Sequence, residues 1–316
     1  MPAYNAERFL AEAIESVLAQ TWQEFELIIL NDGSTDSTCA IAESYARLDS
    51  RIKVESHINM GIAQTLNRGL ELAANEWVAR MDADDVMMPN RIERQLAFVS
   101  EHPDLAVASS WVYHINSNGN IIAKDNSPFV THEAVQRRYG CNKLIGFNHP
   151  ATIFRKRAVM TVGGYRRQFS PAEDVDLWNR MLEQDFKILV QPEYLLKYRL
   201  HGNSVSTTQI RMAYKKVGWV KECVQRRRRG ESELPWEEFI DLRKNDPWFA
   251  RINIDRKDKA KVFYKMAVSF YSQRRYYLVM LFLATALALQ PIYTIRQVFS
   301  KLVLRADKLG DSIDNR

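Results

Sequence analysis

The sequence predicts an α/β protein with a mostly parallel sheet flanked by helices, followed by an all-helical C-terminal extension. Three observations carry that expectation. Helix and strand patterns alternate through the first two hundred residues, the strand runs end in polar loops at 31–36 and 82–88, and no strand pattern of any strength recurs beyond Ser206.

Glu7 to Ala19 sets Phe9, Leu10, Ala13, Ile14, Val17 and Leu18 at helical spacing, which predicts the first helix. Phe25 to Leu30 is a short aromatic and β-branched run, read as a buried strand that stops at the loop Asn31-Asp32-Gly33-Ser34. Ser34 or Asp36 caps a helix to about Leu48. A strand at Ile52 to Glu55, a helix from Ile62 to Ala74 and a strand at Trp77 to Met81 follow. This βαβα order implies parallel strands joined by right-handed crossovers, with their carboxyl ends along one edge, where open α/β sheets bind ligands. Past Pro89 a helix runs to about Glu101. Leu105 to Ile115 and Asn120 to Lys124 then flank the turn Asn116-Ser117-Asn118-Gly119 as a hairpin. Strands near Ala151 to Arg155 and Lys187 to Val190 bracket a helix around Val175 to Gln184. The tail offers helices near 211–229, 236–245, 257–272, 275–289 and 292–305.

Composition sets the bounds. In 316 residues, 46% are hydrophobic and 11% aromatic, enough for substantial cores and incompatible with disorder or a collagen-like chain. Cys39, Cys141 and Cys223 are odd in number and widely spaced, so neither a disulfide framework nor a zinc cluster is expected. A reducing cytosol is the simplest compartment. No basic-then-apolar leader precedes Tyr4, which argues against a cleaved signal. The longest apolar run, Tyr276 to Leu289, has 14 residues against the roughly 20 that cross a bilayer. The formal charge of +6 divides unevenly: residues 1–210 carry 21 basic and 26 acidic side chains, and residues 211–316 carry 23 and 12. Such a split points to two bodies with different partners.

The densest chemical signal is Arg80-Met81-Asp82-Ala83-Asp84-Asp85, three carboxylates in four positions at the end of an apolar strand. Like charges this close are unfavourable unless a cation neutralises them, and hard ions such as Mg²⁺ and Mn²⁺ take oxygen ligands of this kind. A solvated acidic loop ahead of the Pro89 helix is the bland alternative.

Context favours the first reading. Met1-Pro2-Ala3-Tyr4-Asn5, Asn31-Asp32-Gly33-Ser34-Thr35-Asp36, Asn59-Met60-Gly61 with Asn67, and Asp82-Ala83-Asp84-Asp85 follow in register. They continue with Asn148-His149-Pro150, Ala172-Glu173-Asp174-Val175-Asp176-Leu177-Trp178 and Tyr198-Arg199-Leu200-His201-Gly202-Asn203-Ser204. Over residues 1–206 the chain resembles the family-2 nucleotide-sugar glycosyltransferases of the bacterial polysaccharide and O-antigen type. The resemblance implies a GT-A fold, Rossmann-like in its sheet, for 1–206, with 207–316 as a separate basic helical region.

The resemblance also implies roles. Pro2, Tyr4, Asn5 and Asn67 would lie along the nucleotide-sugar site, Tyr4 against the base, and Asp32 would hydrogen-bond the uracil edge. Asp82 would contact nucleotide or sugar and Asp84 would ligate the metal, Mn²⁺ or Mg²⁺. His201 would approach the metal or diphosphate, and Asp174 would be the catalytic base. Glu173, His149 and Trp178 remain supporting or acceptor-side candidates. Glu173 orients Asp174, binds acceptor or caps its helix; His149 serves the site or is a satisfied core histidine; Trp178 packs its helix or stacks on sugar. The implied reaction is inverting, metal-dependent transfer from a nucleotide diphosphate donor, UDP-linked by expectation, to a hydroxyl of a glycan or polyprenyl-linked precursor. Two alternatives stay open: sugar nucleotidyl transfer, which needs a Gly-rich phosphate loop where Pro2-Ala3-Tyr4-Asn5 stands, and a degenerate domain that binds nucleotide without turnover. A Rossmann dehydrogenase would need a GxGxxG, and none occurs.

One departure concerns the N-terminus. Family members carry an apolar strand immediately before the Pro-x-Tyr-Asn segment, whereas this sequence opens at Met1, so the natural product is expected to begin several residues earlier. The tail contains Arg226-Arg227-Arg228-Arg229, Arg256-Lys257 and Arg274-Arg275, and Ile292, Ile295, Val298, Phe299, Leu302 and Val303 make an apolar stripe. No nucleic-acid module accompanies these charges, so nucleic acid is not the expected partner. An anionic membrane surface met by 211–316 is one reading, which would place the protein in the cytoplasm, peripheral on the inner face of the membrane. Helices packed on one another with a solvated basic face are the other.

Overall fold

Helix α1 (Leu10–Leu18) buries Leu10, Ala13, Ile14 and Val17 along one face, as their spacing requires. That face covers a parallel sheet of β1 (Pro2–Ala3), β2 (Leu27–Asp32) and β3 (Ile52–His57), in that order, with Leu27 opposite Ile52 and Asp32 opposite His57. Helix α1 makes the crossover from β1 to β2 and α2 (Thr38–Ala46) that from β2 to β3, while α3 (Ile62–Leu72) follows β3 out of this sheet. The computed structural model describes residues 1–201, 209–245, 247–272, 275–295 and 298. The chain divides into two units, Met1–His114 with Asp125–Arg199, and Ile115–Lys124 with Leu200–Arg316.

In the first unit a second sheet has the order β4 (Trp77–Ala79), β8 (Ile153–Arg155), β6 (Leu105–Ile115), β9 (Lys187–Arg199), β5 (Val86–Met87). Parallel pairing is thus narrower than the sequence implied. The crossover from β4 through α4 (Arg91–Glu101) to β6 does yield two parallel strands, but β8 enters between them antiparallel to both. A three-residue run carries no signal of direction or neighbour. Strand β9 extends well past Val190, and the sequence reading passed over α5 (His132–Gly140) and α6 (Lys156–Thr161), short helices with one and two buried side chains. Helix α7 (Glu173–Glu183) packs Leu177, Trp178, Met181 and Leu182 into a core shared with Leu70, Val107, Phe154 and Ile188.

Between the two sheets lies an apolar cavity of about 410 Å³, lined by Leu27, Ile28, Leu66, Leu70, Val78 and Phe154 among others. Two strand edges face it. The β1–β2 ladder pairs Pro2 with Leu30 and Ala3 with Asn31, begins with the Met1 amine on the Ile28 carbonyl at 2.8 Å, and leaves Leu27 beyond it. Among the described residues β4 pairs on one side, with β8. An uncovered strand edge in an apolar cavity is costly because its N–H and C=O groups have neither water nor partner.

In the second unit the turn before β7 (Ile121–Asp125) is closed by Asn116 and Gly119. Its other described elements are helices, among them α8 (Ile210–Arg228), α9 (Trp236–Lys244), α10 (Trp248–Ser272) and α11 (Tyr276–Leu289). Trp219 of α8 donates to the Leu234 carbonyl at 2.6 Å and meets Trp236 edge-on, and Phe282 of α11 stacks on Phe263 and Phe270 of α10. Within the four-arginine run, Arg226 pairs with Glu222, Arg227 with Glu233 and Arg229 with Glu231, so much of its charge is neutralised locally. Gly202–Asn203–Ser204, Arg274 and, of the apolar stripe, Phe299, Leu302 and Val303 lie outside the described residues.

Candidate active site

Beyond Ala79 the chain alternates: Met81 and Ala83 turn into the core, while Asp82 and Asp84 keep partial exposure on the opposite side. Asp85 is buried at the end of the turn. One oxygen from each of Asp82, Asp84 and Asp85 lies within 4.8 Å of the others. Arg80, itself buried, grips Asp82 with both terminal nitrogens, each at 2.5 Å from a carboxylate oxygen. The Asp85 Oδ1 accepts from the Arg199 backbone N–H at 2.8 Å, while its buried Oδ2 has no hydrogen-bond partner among the described residues.

Two more buried arginines hold this turn. Arg199 donates from Nε to the Asp84 carbonyl at 2.7 Å, from Nη2 to Glu12 at 2.6 Å, and lies over the Phe9 ring. Arg91 bonds the carbonyls of Arg80 at 2.8 Å and Thr152 at 3.1 Å, and burial pulls its pKa down to about 9. Burial also pushes the Asp82 carboxyl up despite Arg80, and pushes Asp85 well above the carboxylate range, with Asp84 and Asp82 adding to the rise. Three crowded carboxylates, one with an orphaned buried oxygen, form an all-oxygen donor set suited to a hard divalent cation.

A second acidic pair sits in the first turn of α7. Glu173 is 7% exposed, its Oε2 has no hydrogen-bond partner among the described residues, and burial, followed by Asp174, raises its pKa to about 7. Burial raises Asp174 to about 6, opposed by the Val175 N–H that donates to Oδ1 at 2.7 Å. The Arg80 charge lowers both. It also acts on His149, which burial, then Arg80, holds well below the usual imidazole range, and whose Nε2 meets the Tyr165 hydroxyl at 2.8 Å. Arg80 is therefore the cation common to both acidic groups.

The other expected residues are placed as follows. Pro2 is buried in β1, and Tyr4 is 53% exposed. Asn5, at φ +47°, accepts from Thr35 N–H at 2.9 Å and donates its own N–H to Ser34 at 3.1 Å, tying segment 4–5 to the 31–36 loop. Asp32 is buried and accepts from Met60 N–H at 2.7 Å and Gly61 N–H at 3.1 Å, at the start of α3. Asn67 holds the Tyr165 backbone by two 2.8 Å bonds. Gly164, at φ +66°, passes so close to it that a Cβ would stand 2.6 Å from Oδ1. Trp178 is wholly buried against Phe147, His149 and Phe154, a core side chain. His201 belongs to the second unit.

Sequence reasoning missed Arg80, Arg91, Arg199 and Tyr165. Arg80 stands directly beside the acids in sequence, and its apolar neighbours on β4 are the one signal that could mark it as an inward-facing partner.

Residues 1–163 match the family model described as glycosyl transferase family 2. The chain is 31% identical over 217 residues to the O-antigen biosynthesis glycosyltransferase WbnJ of Escherichia coli, covering 66% of this chain and 82% of that one. Residues 1–349 of Staphylococcus aureus TarS, solved with UDP-GlcNAc, superpose with a TM-score of 0.55 at 18% identity, over 94% of this chain and 90% of theirs. This chain spans 47% of a longer TarS chain. The mannosyltransferase PcManGT of Pyrobaculum calidifontis, solved with GDP-Man and Mn²⁺, gives 0.57 at 14% identity, over 97% of this chain and 84% of that one.

Proposed function

Because the chain belongs to glycosyl transferase family 2, we propose that it moves a sugar, with inversion, from a nucleotide diphosphate donor to a glycan hydroxyl of a polysaccharide precursor. The observation that carries this reading is the pairing of two acidic groups around one buried arginine: the Asp82, Asp84, Asp85 turn and the Glu173–Asp174 step. Such transfer needs a site that neutralises the departing diphosphate and a separate carboxylate for the acceptor proton. Asp84, with the orphaned oxygen of Asp85, would hold Mn²⁺ or Mg²⁺. The ion would supply positive charge where the diphosphate leaves. Asp82, oriented by Arg80, binds the donor on its sugar side. Asp174 takes the acceptor proton in one direct displacement, and Glu173 and His149 support it.

Segment 4–5, tied to the 31–36 loop, receives the nucleotide, with Tyr4 exposed to lie against a base. Asp32 and Asn67 enter through backbone they fix: Asp32 holds the Met60–Gly61 turn, and Asn67 holds the Tyr165 turn. UDP is the preferred nucleotide, supported by the TarS complex with UDP-GlcNAc. A polyprenyl-linked acceptor is supported by a 33% identical Escherichia coli relative named for transfer to a diphosphoundecaprenol-linked GlcNAc. Residues 1–206 constitute the catalytic domain, and 207–316 meet an anionic membrane surface where that acceptor lies. Calorimetric titration with UDP and GDP, with Mn²⁺ or with EDTA, tests the donor half. UDP should bind only with the divalent ion, and Asp84→Ala should abolish binding. Equal affinity in EDTA contradicts the assignment.

A further inference from the structure

Helix α11 runs for 14 residues without one charged side chain, and its two faces differ in what meets them. Phe282 and Ala286 pack inward, Phe282 between the rings of Phe263 and Phe270. On the opposite face Tyr276 is 57% exposed, Tyr277 72%, Met280 68% and Leu281 58%, and Leu287 continues the stripe. Their spacing, i, i+1, i+4, i+5 and i+11, is a continuous side of one helix. A helix at a water boundary puts polar residues there, and a helix that is apolar all round is found in a core or against lipid.

We propose that this face of α11 lies in the plane of an anionic membrane, seated at the headgroup boundary. The proposal rests on the reading that the helical unit meets a membrane, and it names the surface that does so. Length decides the orientation: 14 residues rise about 21 Å, short of the roughly 30 Å hydrocarbon core, so the helix lies along the boundary. No helix among the described residues is long and apolar enough to cross a membrane. The tyrosine pair at one end has the amphipathic character of side chains that settle at headgroup depth. Charge identifies the surface. Residues 211–316 carry 23 basic and 12 acidic side chains, and exposed Arg275 and Arg256 stand at the two ends of α11, Arg256 bonding the Leu289 carbonyl at 2.9 Å. A second copy would bring a like-charged unit to this face, whereas acidic headgroups complement it.

Flotation of the full chain with vesicles of phosphatidylcholine alone, or with 30% phosphatidylglycerol, tests this. The double variant Met280→Gln, Leu281→Gln is compared with Leu48→Gln, Ile58→Gln, which removes exposed apolar side chains from the first unit. The wild type and the Leu48/Ile58 variant should float with the anionic vesicles, and the Met280/Leu281 variant should partition at least tenfold less, with unchanged circular dichroism. If all three float equally, the face is misassigned while the membrane reading stands. If the wild type does not float at all, both fall. If the Met280/Leu281 variant changes oligomeric state and not flotation, the face belongs to a second copy and the proposal is overturned.

Discussion

The two units invert each other's economy of charge. The first keeps Arg80, Arg91, Arg199, Asp85 and Glu173 inside, and the second leaves Tyr276, Tyr277, Met280 and Leu281 outside. Each arrangement is unfavourable in water by itself, for opposite reasons: buried charge loses hydration, and exposed apolar surface orders it. The difference teaches where each unit waits for something the polypeptide does not supply. In the proposed function the buried acids take a cation and a diphosphate, and in the further proposal the exposed face of α11 takes a membrane surface.

The largest expected effect breaks the first unit at its shared cation. Arg80→Leu strands the Asp82 carboxylate and removes the charge that lowers Glu173 and Asp174, so chemical denaturation should show a loss of about 3–5 kcal/mol. Arg80→Lys should recover part of it. An unchanged midpoint in Arg80→Leu would mean that this ion pair between buried Arg80 and half-buried Asp82 contributes nothing.

Next is the turn that carries Tyr165. Gly164→Ala forces a Cβ against the Asn67 amide at a positive φ, which should cost about 1–3 kcal/mol, read as a lowered melting temperature. Wild-type stability would show that the turn relaxes freely.

The cavity between the sheets sharpens the comparison, since there the first unit also has apolar surface without a partner. Fusing five or six alternating apolar residues ahead of Met1 should extend the β1–β2 ladder toward Leu27 and raise the melting temperature by about 5–10 °C. A matched extension with acids at the inward positions should not.

Acidity separates stability from activity. Glu173 and Asp174 have folded pKa values above the ordinary carboxylate range, so the folded protein holds protons that the unfolded chain has released. Their contribution is most favourable below about pH 4 and is lost as pH rises through about 6 and 7. With Asp174 as the proposed base, transfer would need it ionised, so kcat should rise over the interval in which stability from this pair falls. Parallel profiles would refute the assignment. The smallest effect belongs to the second unit: Arg227→Gln breaks a partly exposed pair with Glu233 and should change stability by less than about 1 kcal/mol.

What the sequence disclosed follows the reach of its signals. Periodicity marked α1, α3, α4, α7 and the cores of β2 and β3, because burial of one face repeats within a few residues. It did not reveal that β8 divides β4 from β6, since Ile153-Phe154-Arg155 reads the same whichever strands flank it. The carboxylates of Asp82, Asp84 and Asp85 stood out by density alone. The arginines that organise them did not, because Arg91 is made internal by the Thr152 carbonyl 61 residues away and Arg199 by Asp84 and Glu12, contacts that exist only once the sheet is assembled.

The central claim is that one acidic group handles the diphosphate and the other the acceptor proton. The most direct test is nucleotide release across a panel of UDP- and GDP-sugars with a glycan-lipid acceptor, comparing wild type with Asp84→Ala and Asp174→Asn. The wild type should release UDP from a UDP-sugar. Asp174→Asn should lose about 10²–10⁴-fold in kcat while still binding UDP, and Asp84→Ala should lose binding and turnover together. Full transfer by both variants would contradict it.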